Sequence, residues 1–162
     1  SGNMNFAAID PGVKGGVATY IDGKIDAWTM PSSPVELADR LRELNLCGVY
    51  IEDVPKFTGA KIPGSMVAVL FQSVGVALGV CAALKLPVFM VKPKEWQKAC
   101  GVGGRDGLTH SKWKQKLRDI AKARFPSIKV TLETADALLI ASSYIHANTY
   151  TNEARAQHHH TV

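Results

Sequence analysis

The chain has 162 residues, of which 46% are hydrophobic and 20% are charged, a composition that fits one globular domain with a buried core. Its three cysteines include no CxxC pair, which argues against a disulfide scaffold and a zinc knuckle. The opening segment lacks the basic and apolar regions of a secretory signal, so we expect a protein of the cytoplasm, or of a nucleic-acid-containing compartment of its host, that is not secreted. We predict a single domain at residues 4–150 and a polar, flexible tail at residues 151–162.

Positive charge is concentrated in one part of the chain. Residues 92–129 contain eleven Lys or Arg and three acidic residues, a balance of +8, whereas the whole chain carries +5 and the remainder therefore −3. A basic region beside an acidic remainder indicates a polyanionic partner such as nucleic acid. A solvated helix face would show the same charges, so charge alone leaves both interpretations open.

The first part of the chain reads as strands, a hairpin and a helix. Residues 5–10 form an apolar strand, and two further strand-like runs follow it, joined by the hairpin signal Asp22-Gly23. Residues 34–44 place apolar side chains at helical spacing after an initial proline. Residues 48–53 form another strand that ends in carboxylates.

An uncharged helix follows, beginning at a Ser65 cap and running to about residue 84. It is long enough to span a bilayer, but Gln72 and Ser73 lie near its middle and no aromatic residues mark its ends. The segment also lies between strands that must share a sheet. We therefore predict a buried helix, apolar nearly all round, and no contact with a membrane.

The remaining chain alternates between strand and helix. Residues 87–91 read as a strand, and a glycine-rich loop then leads to a basic amphipathic helix from about Ser111. The last helix contains the run "ETADALLIA". This order of elements indicates an α/β fold whose sheet has strands of mixed direction. The inward stripe of the basic helix consists of Trp113, Leu117, Ile120 and Phe125.

Acidic residues follow the strands and enter the last helix. Asp10 and Glu52 each end a strand, and sites in open α/β sheets form beyond such carboxyl ends. Glu133 and Asp136 are three residues apart and would share one face of the last helix. Anions this close repel one another, so their convergence calls for Mg²⁺ or Mn²⁺. Two such ions would suit phosphodiester hydrolysis.

Each acid also has an ordinary structural explanation. Asp10 before a Pro-Gly pair could start a turn, Glu52 could be solvated at a strand end, and Glu133 could stabilise a helix N-terminus. Asp136 fits that last account less well, because it lies one turn deeper. No GxGxxG or P-loop motif is present, so we expect no nucleotide cofactor.

The order of motifs resembles that of RuvC-type Holliday-junction resolvases, from about residue 5 to residue 147. The similar segments are "AAIDPGVKGGVATY", "VYIEDV", "PVFMVKPKEWQKACGVGG", "SKWKQKLRDIA" and "ETADALLIA". The resemblance implies an RNase H-like fold with a mixed five-stranded sheet flanked by helices. It also implies a homodimer that cuts two opposed strands of a four-way junction, using two Mg²⁺ ions per site, for which Mn²⁺ could substitute.

By this resemblance, Asp10 is the metal-bridging ligand, Glu52 a second ligand and Asp136 the acid of the last helix. Glu133 is a further ligand at a position where many members of the family carry Asp. Lys112 lies in the region of a catalytic or phosphate-contacting lysine, and Phe57 matches an aromatic position that resembles a junction wedge. The residues expected to bind DNA are Lys56, Phe57, Lys61, Arg105, Lys112, Lys114 and Lys116.

The uncharged helix is the candidate dimer interface, and Gly75 and Gly79 would allow a close approach of another backbone, either the partner subunit or the sheet. Two alternative functions stay open at this point. One is an RNase H-like nuclease that acts on RNA or on RNA–DNA hybrid, and the other is a junction-binding protein that does not cleave.

Overall fold

The computed structural model describes residues 4–54 and 64–145. Its centre is a five-stranded sheet made of β1 (Phe6–Asp10), β2 (Gly16–Ile21), β3 (Lys24–Thr29), β4 (Gly48–Glu52) and β5 (Val88–Val91). The strand order in the sheet is β3-β2-β1-β4-β5. Strands β1, β2 and β3 pair antiparallel, whereas β4 pairs parallel with both β1 and β5. This confirms the predicted sheet of mixed direction.

The turn between β2 and β3 is the predicted hairpin. Asp22 and Gly23 both have positive φ, 51° and 79°, which is the backbone of a two-residue type I′ turn. The register pairs Ile21 with Lys24 directly across the turn. This turn has the right-handed twist of the strands it joins, so the short sequence Asp-Gly is enough to set the register of both strands.

Several helices begin at side-chain caps. The Ser33 hydroxyl accepts a hydrogen bond from the amide of Glu36, and the Thr109 hydroxyl accepts one from the amide of Lys112. The fourth helix therefore starts one residue before the predicted Ser111, and the second starts at Gly64. The helices are α1 (Pro34–Glu43), α2 (Gly64–Ala83), α3 (Pro93–Cys100), α4 (His110–Arg124) and α5 (Ala135–Ile145).

The alternation of side chains along β1 creates two cores, one on each face of the sheet. Ala7 and Ile9 face the core that α1 and α2 cover. Phe6 and Ala8 face the other core, which α3, α4 and α5 cover. The helices of this second core supply, among others, Trp96, Trp113, Leu117 and Leu138.

Helix α2 is much more exposed than the sequence predicted. Of its residues, Ala77 and Cys81 are buried, and they pack on the sheet beside α1. The expectation of a buried helix is therefore wrong for a single copy of the chain, because one neighbouring sheet covers only one side of a helix. A Cβ added at Gly75 or at Gly79 would meet no atom within 4 Å. The exposed apolar side chains of this helix are Met66, Val69, Phe71 and Leu78.

By length and composition alone, α2 could cross a membrane. Its place in the fold argues for a different role. It connects β4 to β5, which lie side by side and parallel, so it is the crossover helix of a β-α-β unit. A crossover helix must lie along the sheet it spans, and the burial of Ala77 and Cys81 shows this contact.

Candidate active site

The site begins where two neighbouring strands end. Asp10 ends β1 and Glu52 ends β4, and the parallel register pairs Ile9 with Ile51 immediately before them. Both isoleucines face the core under α1 and α2. Because side chains alternate along a strand, Asp10 and Glu52 both point to the opposite face, toward α3, α4 and α5.

A third carboxylate comes from the first turn of α5. The turn before this helix is fixed by two threonines, since the Thr131 amide donates to the Thr134 hydroxyl at 3.0 Å and the Thr134 amide donates to the Thr131 hydroxyl at 3.2 Å. This reciprocal cap sets the start of α5 at Ala135. Asp136 therefore lies in the first helical turn and faces the ends of β1 and β4.

A glycine on β2 lets this turn approach the sheet. Gly16 pairs with Asp10 across the antiparallel ladder. A Cβ added at Gly16 would lie 2.4 Å from the backbone oxygen of Glu133. Only a residue without a side chain fits there, so Gly16 sets the distance between α5 and the strand that carries Asp10.

Asp10, Glu52 and Asp136 form a compact acidic cluster in which one oxygen from each carboxylate lies within 4.8 Å of the others. All three residues are partly buried. Carboxylate oxygens are hard ligands, and this spacing suits a divalent cation such as Mg²⁺ or Mn²⁺. The donor set therefore fits the metal that the resemblance implies.

Two side chains from α3 and α4 bind the cluster from outside. The Lys114 ammonium donates to Asp136 Oδ1 at 2.6 Å, and the indole Nε1–H of Trp96 donates to Glu52 Oε2 at 2.7 Å. The Lys114 side chain is 23% exposed, so this ion pair is partly shielded from water. Asp136 is thus held by a cation and Glu52 by a neutral donor.

The pKa values of the cluster reflect crowded negative charge. Burial raises the pKa of Asp10 well above its usual range, and the neighbouring carboxylates of Asp136 and Glu52 raise it further. Burial and Asp136 raise the pKa of Glu52 to about 7, against the opposing effects of the Trp96 hydrogen bond and of Lys114. One ammonium is therefore too little positive charge for three carboxylates, and a divalent cation would supply the rest.

Burial lowers the pKa of Lys114, but the carboxylates around it, first Asp136 and then Asp10 and Glu52, outweigh this and the net shift is upward. Lys114 therefore stays protonated in the site. Its ammonium is part of the electrostatics of the cluster, whichever chemistry takes place there.

Glu133 does not join this cluster. It lies in the turn before α5 and not on the helix itself, and it is not one of the carboxylates whose oxygens lie within 4.8 Å of one another. The cause is the cap formed by Thr131 and Thr134, which delays the helix until Ala135. This placement does not support Glu133 as a fourth ligand.

The lysine in the site also differs from the expected one. Lys112 is exposed in the first turn of α4 and lines a shallow groove of about 510 Å³ with Gln115 and Lys116. Residues two apart on a helix point to opposite sides, so Lys114 faces the acidic cluster when Lys112 faces solvent. The structure therefore places Lys114, and not Lys112, beside the acidic cluster.

The other residues expected to bind DNA lie apart from the cluster or outside the described residues. The Arg105 guanidinium and the Lys116 ammonium lie 5.8 and 5.5 Å from the centre of the Trp113 ring. Both belong to the basic surface of α4 and the loop before it. The predictions for Lys56, Phe57, Lys61 and the tail at 151–162 fall outside the described residues.

Trp96 is the contributor to the site that sequence reasoning missed. It lies on α3, a short helix that was not predicted because its eight residues fall between a strand and a glycine-rich loop. The available signals were Pro93 at the first helical position and Gly101 just after the end, with Trp96 and Cys100 four residues apart. No sequence signal identifies Glu52 as the acceptor of the indole N–H.

Known structures share this arrangement of elements. A Thermus thermophilus RuvC solved in complex with a Holliday junction substrate matches 91% of this chain and 96% of its own, with 16% identity and a TM-score of 0.59. Another Thermus thermophilus RuvC structure matches 90% and 98%, with 14% identity and a TM-score of 0.58. The yeast mitochondrial Holliday junction resolvase Ydc2 matches 98% and 85%, with 15% identity and a TM-score of 0.50.

No protein-family model matches the sequence, and no curated protein is significantly similar to it. The likeness is therefore one of structure, over nearly the full length of both chains. Together with the strand order and the mixed α/β sheet, it shows that this chain has the fold of the RuvC-type Holliday-junction resolvases.

Proposed function

We propose that this protein is a structure-selective endonuclease that resolves four-way DNA junctions by metal-dependent hydrolysis of two opposed phosphodiester bonds. The observation that carries the proposal is the cluster of Asp10, Glu52 and Asp136, with its oxygens within 4.8 Å of one another. Its position, at the carboxyl ends of β1 and β4 in a RuvC-type fold, supports the same activity.

The three carboxylates would hold Mg²⁺, or Mn²⁺ in its place, with two ions serving each site. Such ions supply a nucleophilic water at neutral pH and stabilise charge on the phosphate oxygens. Asp10 would hold the ions from the end of β1, Glu52 from the end of β4 and Asp136 from α5. Lys114 keeps Asp136 in place and adds a positive charge where the phosphate must bind.

DNA would lie along the basic side of the molecule. Arg105, Lys112 and Lys116 line the exposed side of α4 and the loop before it. Such residues contact phosphates and position the nucleic acid without reading its sequence. Lys56, Phe57 and Lys61 belong to the same proposal from the sequence, with Phe57 as the residue on which an unpaired base would stack.

Two opposed cuts require two sites, because one site cannot reach both strands of a junction at once. We therefore propose that the working unit is a homodimer with two-fold symmetry. The exposed apolar side of α2 is its interface, since Phe71 and Leu78 lie seven residues apart on one side of the helix and need a cover.

A cleavage assay tests the proposal directly. Labelled four-way junction, linear duplex and RNA–DNA hybrid would each be incubated with the protein, in Mg²⁺ or in EDTA. We expect paired nicks in the junction, only with Mg²⁺. Preferential cleavage of the hybrid would instead identify an RNase H-like nuclease, and tight junction binding without cleavage would identify a binding protein.

A matched pair of variants connects this activity to the site. Asp10→Asn should abolish cleavage and leave junction binding intact or tighter, because the amide cannot bridge two cations and carries no charge. Asp39→Asn makes the same chemical change on α1, where the Asp39 side chain is 59% exposed and pairs with Arg42. Wild-type cleavage rates for Asp10→Asn would refute the assignment of the metal site.

A further inference from the structure

The indole of Trp96 has an unusual acceptor for a core tryptophan. Trp96 is 1% exposed and packs in the core between the sheet and α5. Its N–H is a donor only, and a buried donor needs an acceptor. That acceptor is a side-chain oxygen, Glu52 Oε2 at 2.7 Å. Hydrogen bonds to a carboxylate are stronger than those between neutral groups.

The fold places this indole next to Glu52 by a short route. The sheet register pairs Glu52 with Val91, the last residue of β5. The chain then enters α3 at Pro93, and Trp96 lies in its first turn. The turn at the end of one strand thus presents a donor to the carboxylate that ends the neighbouring strand.

We propose that Trp96 is a positioning residue for the metal site, whose N–H holds Glu52 Oε2 so that the other carboxylate oxygen faces the cations. The proposal rests on the proposed function, since it assumes that the acidic cluster binds metal. A glutamate has several rotatable bonds, and holding one oxygen from outside restricts the positions that the other can take. Groups that orient a metal ligand in this way alter metal affinity although they never contact the ion.

Another tryptophan in the same core serves as an internal comparison. Trp113 is 5% exposed, and it belongs to the same core as Trp96. Its ring is approached by the side chains of Arg105 and Lys116, not by a member of the acidic cluster. Replacing either tryptophan by Phe therefore removes a similar volume from one core, but only one change removes a donor to Glu52.

The test measures Mn²⁺ binding to the whole wild-type protein and to its Trp96→Phe and Trp113→Phe variants. Binding is followed by calorimetric titration in the absence of DNA. We expect Trp96→Phe to weaken Mn²⁺ binding by about 10- to 100-fold. Trp113→Phe should bind Mn²⁺ like the wild type, with a loss of thermal stability similar to that of Trp96→Phe. Equal Mn²⁺ affinity in wild type and Trp96→Phe, or equal loss in both variants, would overturn the proposal.

A second replacement keeps the test decisive if Trp96→Phe does not fold. Incorporating benzothienylalanine at position 96 puts sulfur where the indole N–H was and preserves the shape of the ring. The same loss of Mn²⁺ affinity is expected, and wild-type affinity would overturn the role of the N–H. If the wild-type protein itself binds no Mn²⁺, the proposed metal-dependent function fails, and the positioning role fails with it.

Discussion

Asp10, Glu52 and Asp136 carry more negative charge than the single ammonium of Lys114 can neutralise. A protein tolerates such an arrangement when a ligand compensates it, because the unpaired charges otherwise lower stability. The cluster therefore lowers the free energy of unfolding of the metal-free chain, and the same closeness of the carboxylates would favour metal binding. Both consequences can be measured.

The ion pair between Lys114 and Asp136 gives one prediction at the scale of single residues. Lys114→Ala should strongly reduce cleavage and lower the free energy of unfolding by about 1–3 kcal/mol, because Asp136 loses its hydrogen-bonded cation. Lys112→Ala removes an equivalent side chain from the opposite, exposed side of α4. It should weaken DNA binding but spare the rate of cleavage at saturating DNA.

Single-turnover cleavage with excess protein, together with urea denaturation, would separate these effects. If Lys112→Ala lost the cleavage step and Lys114→Ala kept it, the assignment from the structure would be wrong and the resemblance-based one right.

The raised pKa of Glu52 predicts how stability depends on pH. Its pKa rises from an ordinary value of 4.5 to about 7 in the folded protein. Between those values the folded state holds more protons than the unfolded state, so the free energy of unfolding falls as pH rises. This contribution is fully present below about pH 4.5 and is lost as pH passes through about 7, a change on the order of 3 kcal/mol. Asp10 shifts in the same direction.

Denaturation in EDTA across this pH range would reveal the loss. Glu52→Gln should remove the part of the loss that Glu52 contributes and leave the part due to Asp10. Asp39→Asn, at an exposed position on α1, serves as the control substitution. Mn²⁺ added above neutral pH should restore the lost stability, because the cation replaces the protons. A metal-free wild type whose stability is constant from acid to neutral pH would contradict the raised pKa.

How far the sequence predicted the site depends on the residue. Asp10 and Glu52 were predictable because strand ends define a common edge, and Asp136 because it enters an apolar helix. The choice between Lys112 and Lys114 was not, since it depends on which side of α4 faces the sheet. The contact of Trp96 with Glu52 joins residues 44 apart in sequence and leaves no local pattern.

At the scale of elements, the position of α5 relative to β2 depends on one glycine. Gly16→Ala would place a methyl group against the backbone of Glu133, so the turn before α5 must shift outward. We expect a loss of about 1–3 kcal/mol in stability, as for other overpacked sites. We also expect reduced cleavage, because Asp136 moves with the helix.

Gly64→Ala is the matched change, since a Cβ at Gly64 would meet no atom within 4 Å. Thermal melting and cleavage by the two variants would be compared. Normal activity in Gly16→Ala would show that the site does not depend on this close approach.

The elements themselves were predicted well where local signals were strong. The hairpin at Asp22-Gly23 needed only turn chemistry, and helix α1 needed only apolar residues at helical spacing after an initial proline. Helix α3 was missed because eight residues give barely two turns of periodicity. The burial of α2 was misjudged because composition shows that a helix is apolar but not how many of its sides the rest of the chain covers.

On the scale of the whole molecule, the exposed side of α2 remains to be explained. Met66 is 63% exposed, Phe71 41% and Leu78 37%, on a helix that carries no charge. Residues seven apart lie on one side of a helix, so Phe71 and Leu78 form part of one apolar face. A second copy of the chain would cover this face symmetrically and would bring a second acidic cluster into the same particle.

Arg substitutions on this face test the proposed homodimer. Phe71→Arg and Leu78→Arg should each place an unpaired charge in the interface and convert a dimer into a monomer, while circular dichroism stays unchanged. Met4→Arg, at a half-exposed position before β1, makes a comparable change elsewhere and should leave the dimer intact. The monomeric variants should nick a junction on one strand or not at all, because the second cut needs the second site. Sedimentation of the wild type with and without junction DNA would show whether it is a dimer. A wild type that is monomeric in both cases and still makes paired nicks would contradict the proposed interface.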